Sequence, residues 1–196
     1  MAVIEAESRP GAPPGPAPVE GDRLRLRVFR LGEAAQLSAL LIDFEVVRFA
    51  GEIPWPYDLS RAAGFIAQSH RHFAHGRDCI FALERLEDGA LIGCIALHAD
   101  AGGKVARLGY WLGQPYWGQG YATEAIGLAL AFGFTERPFD RIEAEAHVGN
   151  MGSWKALEKA GLLFEGIVDL AFRCRGFVAP ARRYGISRRR WRDALS

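Results

Sequence analysis

The segment LGYWLGQPYWGQGYAT at 108–123 carries the strongest chemical pattern in the chain. An apolar, aromatic strand leads into a Gly-x-Gly turn made by Gly118 and Gly120, and a helix is predicted to begin near Ala122. Glycines remove the side chains that would keep a ligand off the backbone, so several N–H groups can point at one anion. The positive end of the helix dipole favours the same anion. The pattern therefore predicts a phosphate site, although glycines also form such turns without any ligand.

Two nucleotide-binding motifs fit this turn poorly. The dinucleotide-binding fingerprint needs a third glycine where this chain has Thr123. It also needs an acidic residue after the next strand, whereas Asp140 precedes that strand. A Walker A loop would end in Gly-Lys-Ser or Gly-Lys-Thr, which the segment lacks.

The composition predicts one globular, cytoplasmic domain. The chain has 196 residues, of which 49% are hydrophobic and 24% are charged, which suits a single core. A formal net charge of +1 gives no overall field that would attract nucleic acid or a membrane surface. No apolar run reaches the length of a membrane-spanning helix, and the first residues lack the pattern of a secretory signal. Cys79, Cys94 and Cys174 are widely spaced and are predicted to be reduced thiols.

The order of predicted elements indicates an α/β (α+β) fold. Residues 1–21 are rich in Pro, Gly and Ala and are predicted to form a disordered leader, with a single domain over 22–196. The predicted strands are Leu24–Phe29, Cys79–Arg85, Leu91–His98, Val105–Leu112, Arg141–Val148, Phe164–Phe172 and Arg183–Arg188. The predicted helices run from Glu33 to Ile42, from a Ser60 cap to His75, from Ala122 to Phe134 and from Asn150 to Gly161. This order predicts a mixed sheet covered by helices.

Several motifs, in this order and spacing, resemble the GNAT acetyltransferase superfamily. They are Gly109-Tyr110-Trp111-Leu112, the run from Tyr116 to Ala125, Asn150-x-x-Ser153 and Leu157-Glu158-Lys159-Ala160-Gly161. More narrowly, they resemble the branch of Rim-type protein N-terminal acetyltransferases, and the match extends from Arg23 to Trp191. The resemblance implies a mixed, mostly antiparallel central sheet with flanking helices and a splay between its two central strands. It also implies acetyl-CoA as co-substrate and no metal.

The resemblance assigns one set of residues to the cofactor. Backbone N–H groups of the turn would hold the pyrophosphate, with Trp117 in the place of the family's usual Arg or Gln, and the strand edge near Leu112 would pair with the pantetheine arm. The implied cofactor-binding residues are Leu112, Trp117, Gly118, Gln119, Gly120, Tyr121, Ala122, Thr123 and Asn150.

The implied chemistry is direct acyl transfer from the thioester to an amine. By resemblance, Ser153 would give a hydrogen bond or a proton to the departing thiolate. Backbone groups near Leu112 would stabilise the developing oxyanion. The alternative is that Asn150 and Ser153 have only a structural role at the start of a helix, because asparagine is a favoured cap and serine is common in a first turn.

The general base is the weak point of the resemblance. Relatives often carry a glutamate two residues before Gly109, where this chain has Arg107. Glu143 and Glu145 on the next predicted strand are substitutes on one face, or else exposed strand carboxylates. Without a clear base, a protein N-terminal α-amine is favoured over lysine as acceptor, because its pKa is about 7.8 rather than 10.4. A small amine is the second choice, and a non-catalytic acyl-CoA-binding module is a third.

Other segments are open to two interpretations each. Trp55 and Tyr57 could wall the acceptor groove, as the matching loop does in relatives, or they could cap the core. The histidines of 70–75 are predicted to be solvated rather than metal-binding. The arginines of 182–192 are predicted to lie in a solvated terminal strand and tail, so a nucleic-acid partner is not expected. A homodimer is compatible with the sequence.

Overall fold

The computed structural model describes residues 16–75 and 78–195. Most of the predicted leader, residues 1–15, lies outside the described part. The strands are β1 Val19–Glu20, β2 Leu24–Arg27, β3 Asp78–Arg85, β4 Leu91–Ala99, β5 Val105–Leu112, β6 Arg141–His147, β7 Leu163–Phe172 and β8 Phe177–Ser187. The helices are α1 Ala34–Leu41, α2 Phe44–Val47, α3 Leu59–Ala74, α4 Tyr121–Thr135, α5 Met151–Lys159 and α6 Arg188–Asp193.

The strands form one eight-stranded sheet in the order β1-β2-β3-β4-β5-β6-β8-β7. Every neighbouring pair is antiparallel except β5 and β6, which run parallel and are joined through α4. A parallel pair needs such a crossover, because a tight turn cannot bring the chain back to the same end of the sheet. The predicted mixed, mostly antiparallel sheet is therefore confirmed.

The two central strands separate along their length. Pairing of β5 with β6 covers the first four residues of each strand and ends at Leu108 and Ala144. β5 nevertheless continues to Leu112, and β6 continues to His147. The sheet therefore opens as a wedge between the carboxyl ends of β5 and β6, which confirms the predicted splay.

Helices pack on both faces of the sheet. On one face α4 and α5 pack with residues such as Phe81 and Phe132, whose rings meet edge to face at 5.0 Å. On the other face α1, α2 and α3 pack with Phe29 and Trp111. Side chains of β5 alternate between the two faces, so Leu108 and Leu112 lie with α4 while Trp111 lies with α1. We call these the α4 face and the α1 face.

Two element boundaries near the N-terminus differ from the prediction. Val19 and Glu20, within the predicted leader, form β1 because they pair with Leu26 and Arg25 of β2. The cap of α3 is Asp58 rather than Ser60, since the Asp58 carboxylate accepts the N–H of Arg61 at 2.8 Å. Aspartate and serine are equally good caps, so local sequence could not choose between them.

The C-terminal elements also differ from the prediction. β8 begins at Phe177, six residues before the predicted start, because its residues 177–185 pair with β7. Residues 188–193 form α6 rather than a strand end, with Ser187 as its cap. The Arg188 guanidinium donates to the carbonyls of Phe134, Arg137 and Phe139, near the C-terminal end of α4. Arg188 of the basic segment thus has a structural role.

A buried ion-pair network ties β2, β3 and the turn before α1 together. Arg27 binds Glu84 at 2.6 Å and Glu33 at 2.5 Å, and all three side chains are less than 10% exposed. Arg25 and Arg30 also reach the Glu84 carboxylate, at 2.9 and 2.7 Å. Buried charges are tolerated when they are paired and hydrogen-bonded in this way.

This network predicts acid sensitivity. Burial alone would raise the pKa of Glu84, but Arg27 and Arg30 outweigh it and hold the pKa below its ordinary value of 4.5. The stability that Glu84 contributes is therefore complete above about pH 4.5 and is lost as the pH falls through the lowered pKa. Urea unfolding at pH 7, 5, 4 and 3 measures this loss. The variant Glu84→Gln should show a shallower loss below pH 4.5, and an unchanged slope would contradict the assignment.

Candidate active site

The Gly-x-Gly turn lies at the open end of the wedge, between β5 and α4. Gly118 and Gly120 have φ angles of 73° and 84°, a left-handed conformation that residues with a side chain rarely adopt. Gly120 is the cap residue of α4. The N–H groups of the first helical turn, at Tyr121, Ala122 and Thr123, have no intrahelical acceptor by the geometry of any helix start. The turn therefore offers backbone donors and a positive dipole end at one place.

Arg23, the residue before β2, holds this turn in place. Its Nη1 donates to the carbonyl of Gln119 at 2.9 Å, and its guanidinium lies 4.7 Å from the centre of the Tyr121 ring. Its Nε meets Glu124 at 2.9 Å, and Glu124 also accepts the backbone N–H groups of Arg23 and Leu24. The role of Arg23 could not be predicted from the sequence, because its partners are about 100 residues away.

Two side chains of the turn donate hydrogen bonds to nearby backbone carbonyls. The indole Nε1 of Trp117 donates to the carbonyl of Leu112 at 2.7 Å. The side-chain amide of Gln119 donates to the carbonyl of Pro115 at 2.8 Å. With both side chains occupied, an anion at the turn meets mainly backbone N–H groups. Such contacts do not depend on the side chain at position 117, which agrees with Trp117 in the place of Arg or Gln.

The carboxyl end of β5 presents a free strand edge to the wedge. The N–H of Gly113 bonds to the carbonyl of Ile92 on β4 at 2.9 Å. Successive peptide groups of a strand point to opposite sides, so the N–H of Leu112 points away from β4 towards β6. Pairing with β6 has already ended at Leu108, so this edge can pair with an extended ligand.

Ser153 and Tyr110 meet across the wedge. The Tyr110 hydroxyl lies 2.9 Å from the Ser153 Oγ and donates to the Ser153 carbonyl at 3.2 Å. Burial raises the pKa of Tyr110 to about 12, so the phenol keeps its proton at pH 7. Asn150 caps α5, since its side chain accepts the N–H of Ser153 at 3.2 Å. Asn150 thus acts as a helix cap. The sequence did not reveal that Tyr110 is the partner of the Ser153 hydroxyl.

Glu143 and Glu145 lie on one face of β6, as predicted. That face is the α1 face, and both carboxylates are paired there. Glu143 accepts from Arg141 Nε at 2.7 Å, and Glu145 accepts from Arg183 Nη2 at 2.8 Å. A carboxylate whose lone pairs are held by a guanidinium is less available to take a proton from an amine. The geometry therefore weakens the hypothesis that either residue is the general base.

Trp55 and Tyr57 have different surroundings. Trp55 is exposed, packs edge to face on Phe44 at 5.4 Å and donates to the carbonyl of Ile42. Tyr57 is 9% exposed and belongs to the core of the α1 face, where burial raises its pKa to about 12. Of the two interpretations of Tyr57, this burial favours the one in which its ring packs in the core.

A strap of residues 47–52 covers the end of β6 on the α1 face. Phe49 stacks on His147, the last residue of β6, at 4.9 Å between ring centres. The strap is fixed to the turn between β7 and β8, where Arg175 donates to the carbonyls of Val47 and Arg48. The strap therefore forms a wall beside the wedge, built by contacts more than 120 residues apart in sequence.

A cysteine or metal mechanism finds no support near the wedge. All three cysteines are free thiols, as predicted, and burial raises the pKa of Cys79 to about 11. Burial also raises the pKa of Cys94, so neither buried thiol forms a reactive thiolate readily. Over residues 16–75 and 78–195, no group of three His, Cys, Asp or Glu side chains stands in a metal-binding arrangement.

Comparison with known proteins decides the family. A model of the acetyltransferase (GNAT) domain matches residues 23–163. The chain belongs to the GNAT acetyltransferase family. This GNAT protein is also 28% identical over 171 residues to the uncharacterized N-acetyltransferase p20 of Bacillus licheniformis, a match that spans 87% of this chain and 96% of p20. The family establishes an acetyl-CoA-dependent N-acetyltransferase and confirms the resemblance.

Solved structures share the fold at low sequence identity. RimL, an alpha-N-protein acetyltransferase in complex with coenzyme A, superposes with a TM-score of 0.74 at 14% identity, covering 87% of this chain and 98% of RimL. Spermidine N-acetyltransferase from Vibrio cholerae, in complex with CoA and spermine, gives 0.73 at 20% identity, covering 87% and 99%. These likenesses confirm the GNAT architecture of the sheet and helices. In the described part of the GNAT chain, no helix is long and apolar enough to cross a membrane.

Proposed function

We propose that this GNAT protein transfers the acetyl group of acetyl-CoA to a protein N-terminal α-amine. In this proposal the N–H groups of 117–123 hold the diphosphate, and the edge at Leu112 pairs with the pantetheine arm. The observation that carries the proposal is the wedge between β5 and β6 opening directly onto the Gly118–Gly120 turn. Several hydrogen bonds to a charged group, each worth about 1.5–3 kcal/mol, would anchor the diphosphate.

The acceptor would approach from the α1 face of the sheet. α4 and α5 cover the opposite face. On the α1 face Gly109 is exposed, and a Cβ built there would meet nothing within 4 Å. The bare backbone of Gly109 lies one residue beyond the last β5–β6 pair, so an amine can reach the wedge there. A neutral amine then attacks the thioester carbonyl, while backbone groups near Leu112 stabilise the oxyanion.

Ser153 would protonate the leaving thiolate. The Ser153 hydroxyl gives its proton to the thiolate sulfur as the carbon–sulfur bond breaks, and the serine oxygen then regains a proton from water. The Tyr110 hydroxyl holds Ser153 in position through the 2.9 Å contact. The proton that the amine loses passes to water. Asn150 supports this arrangement by fixing the first turn of α5 through the N–H of Ser153.

The pairing of Glu143 and Glu145 favours an acceptor of low basicity. Deprotonating a lysine amine of pKa about 10.4 at pH 7 costs roughly 4.6 kcal/mol, whereas an α-amine near 7.8 costs about 1. The α-amine can therefore react with water as the base. A small amine is the second candidate, as the shared fold of the spermidine acetyltransferase illustrates.

Ser153→Ala is expected to lower kcat about 100-fold, the lower range for a general acid, while the Kd for CoA changes less than about twofold. Tyr110→Phe should give a smaller loss, because it removes only the hydroxyl that holds Ser153 in position. The matched control is Ser60→Ala, an exposed serine on α3. A thiol-release assay measures kcat, and calorimetry measures the Kd for CoA. Equal kcat in Ser153→Ala and the parent protein would remove Ser153 from the mechanism.

The test of the proposed function is acetylation of a panel of peptides and amines, with the product identified by mass. We expect a mass gain of one acetyl group on the peptide α-amine and equimolar release of free CoA. Transfer to a small amine alone would support the second candidate. CoA binding without thiol release on any acceptor would support a non-catalytic binding module instead.

A further inference from the structure

Arg107 stands at the entrance that the proposed function gives to the acceptor. It lies two residues before Gly109 on β5, so both residues are on the α1 face. Arg107 is exposed, and within residues 16–75 and 78–195 no hydrogen bond or ion pair engages its guanidinium. A guanidinium that no other described residue binds therefore lies beside the opening through which the amine must reach the wedge.

The two side chains that flank Arg107 on the neighbouring strands bind other residues. Its neighbour on β4 is His98, whose Nδ1 lies 3.2 Å from Asp78. Its neighbour on β6 is Glu143, which is held by Arg141 at 2.7 Å. The nearest carboxylate is thus drawn away from Arg107, towards the β8 side of the sheet.

Arg141 is itself fixed in place. Its Nη2 binds Glu165 on β7 at 2.5 Å, and its guanidinium lies over Gly185 of β8. A Cβ at Gly185 would overlap this guanidinium, so the glycine provides the room for it. The series of ion pairs Glu143–Arg141–Glu165 extends over three strands, β6, β8 and β7. Among the described residues of the sheet, no side chain forms an ion pair with Arg107.

We propose that Arg107 binds an anionic group of the acceptor, so that the preferred substrate is a peptide N-terminus followed by an acidic residue. This inference rests on the proposed acetyl transfer at the same site. A guanidinium binds a carboxylate through two parallel hydrogen bonds. These bonds fix the position of the peptide and select for a negative charge on it. Arg107 is thereby a specificity-determining residue rather than a replacement for the general base.

The same cation repels acceptors that carry further positive charges, such as spermidine or a peptide with lysine in the second position. An acidic second residue is attracted, and its carboxylate occupies the guanidinium when the peptide is bound.

The experiment compares kcat/KM for three peptides, Ser-Asp-Ala-Ala, Ser-Asn-Ala-Ala and Ser-Lys-Ala-Ala, with spermidine as a polycationic acceptor. The parent protein should prefer the Asp peptide over the Asn peptide by about tenfold, mainly through KM, and should use the Lys peptide least. Arg107→Gln should reduce the Asp-to-Asn ratio to within about twofold. Arg107→Glu should reverse the order of the Asp and Lys peptides. Arg189→Gln, a control at a 93% exposed arginine of α6, should keep the parent ratio.

The outcomes separate this inference from the proposed function. Equal kcat/KM for the three peptides, or a preference that survives in Arg107→Gln, would overturn the role of Arg107 while acetyl transfer stands. A preference for spermidine over every peptide would also overturn it. Failure to acetylate any of the four acceptors would contradict the proposed function and this inference together. A thermal melt of each variant checks that the exposed substitution leaves the fold intact.

Discussion

Gly120→Val is expected to weaken CoA binding by at least about 100-fold, which is roughly the loss of one to two charged hydrogen bonds. Gly120 caps α4 with a φ of 84°, and a Cβ there would lie 3.3 Å from the Nη2 of Arg23. Valine would disfavour the left-handed conformation and place its methyl groups where the diphosphate must approach. Isothermal titration with CoA measures the change.

The control for this variant is Gly103→Val. Gly103 has a φ of 66° and lies between β4 and β5, at the end of the sheet away from the turn. Both substitutions carry a similar backbone cost of about 1–2 kcal/mol, so both should lower the thermal midpoint. Only Gly120→Val should change the Kd for CoA. Equal Kd values in the two variants would contradict the placement of the diphosphate.

Glu84→Ala is expected to lower the free energy of unfolding by about 3–5 kcal/mol, the usual cost of removing one partner from a buried ion pair. Glu84 is 2% exposed and receives hydrogen bonds from Arg25, Arg27 and Arg30. Without it, the buried Arg27 keeps only Glu33 as a charged partner. Such a loss is a large fraction of the 5–15 kcal/mol that stabilises a typical domain.

Urea denaturation measures this loss against Glu87→Ala. Glu87 lies three residues away in the β3–β4 turn, its side chain is 78% exposed, and its contact with Arg85 is 3.8 Å long. An exposed pair of this kind contributes about 0–1 kcal/mol, so Glu87→Ala should change little. A loss below about 1 kcal/mol in Glu84→Ala would show that the network is not a source of stability.

Local sequence was sufficient where neighbouring residues determine the structure. β5 was predicted with its observed bounds, Val105–Leu112, because a run of apolar and aromatic residues ends at a turn. The cap at Asn150 and the left-handed Gly161, with φ of 94°, bound α5 as predicted. Each of these features depends on residues within a few positions, so the pattern alone specifies them.

Local sequence was insufficient where distant segments meet. The partner of Glu145 comes from another strand, β8, and Tyr57 turns inward because α1 and α3 leave a place for it in the core. Arg23 reaches the Gly-x-Gly turn only because β2 lies beside α4. No pattern within a short window reveals such contacts, which depend on the completed sheet.

The most direct test of the account is a crystal structure of the protein with CoA. We expect the diphosphate oxygens to lie about 3 Å from backbone nitrogens of 118–123, with the pantetheine paired to Leu112 between β5 and β6. The sulfur should lie beside the Ser153 hydroxyl. A diphosphate bound elsewhere, or a pantetheine arm outside the wedge, would contradict the central claim.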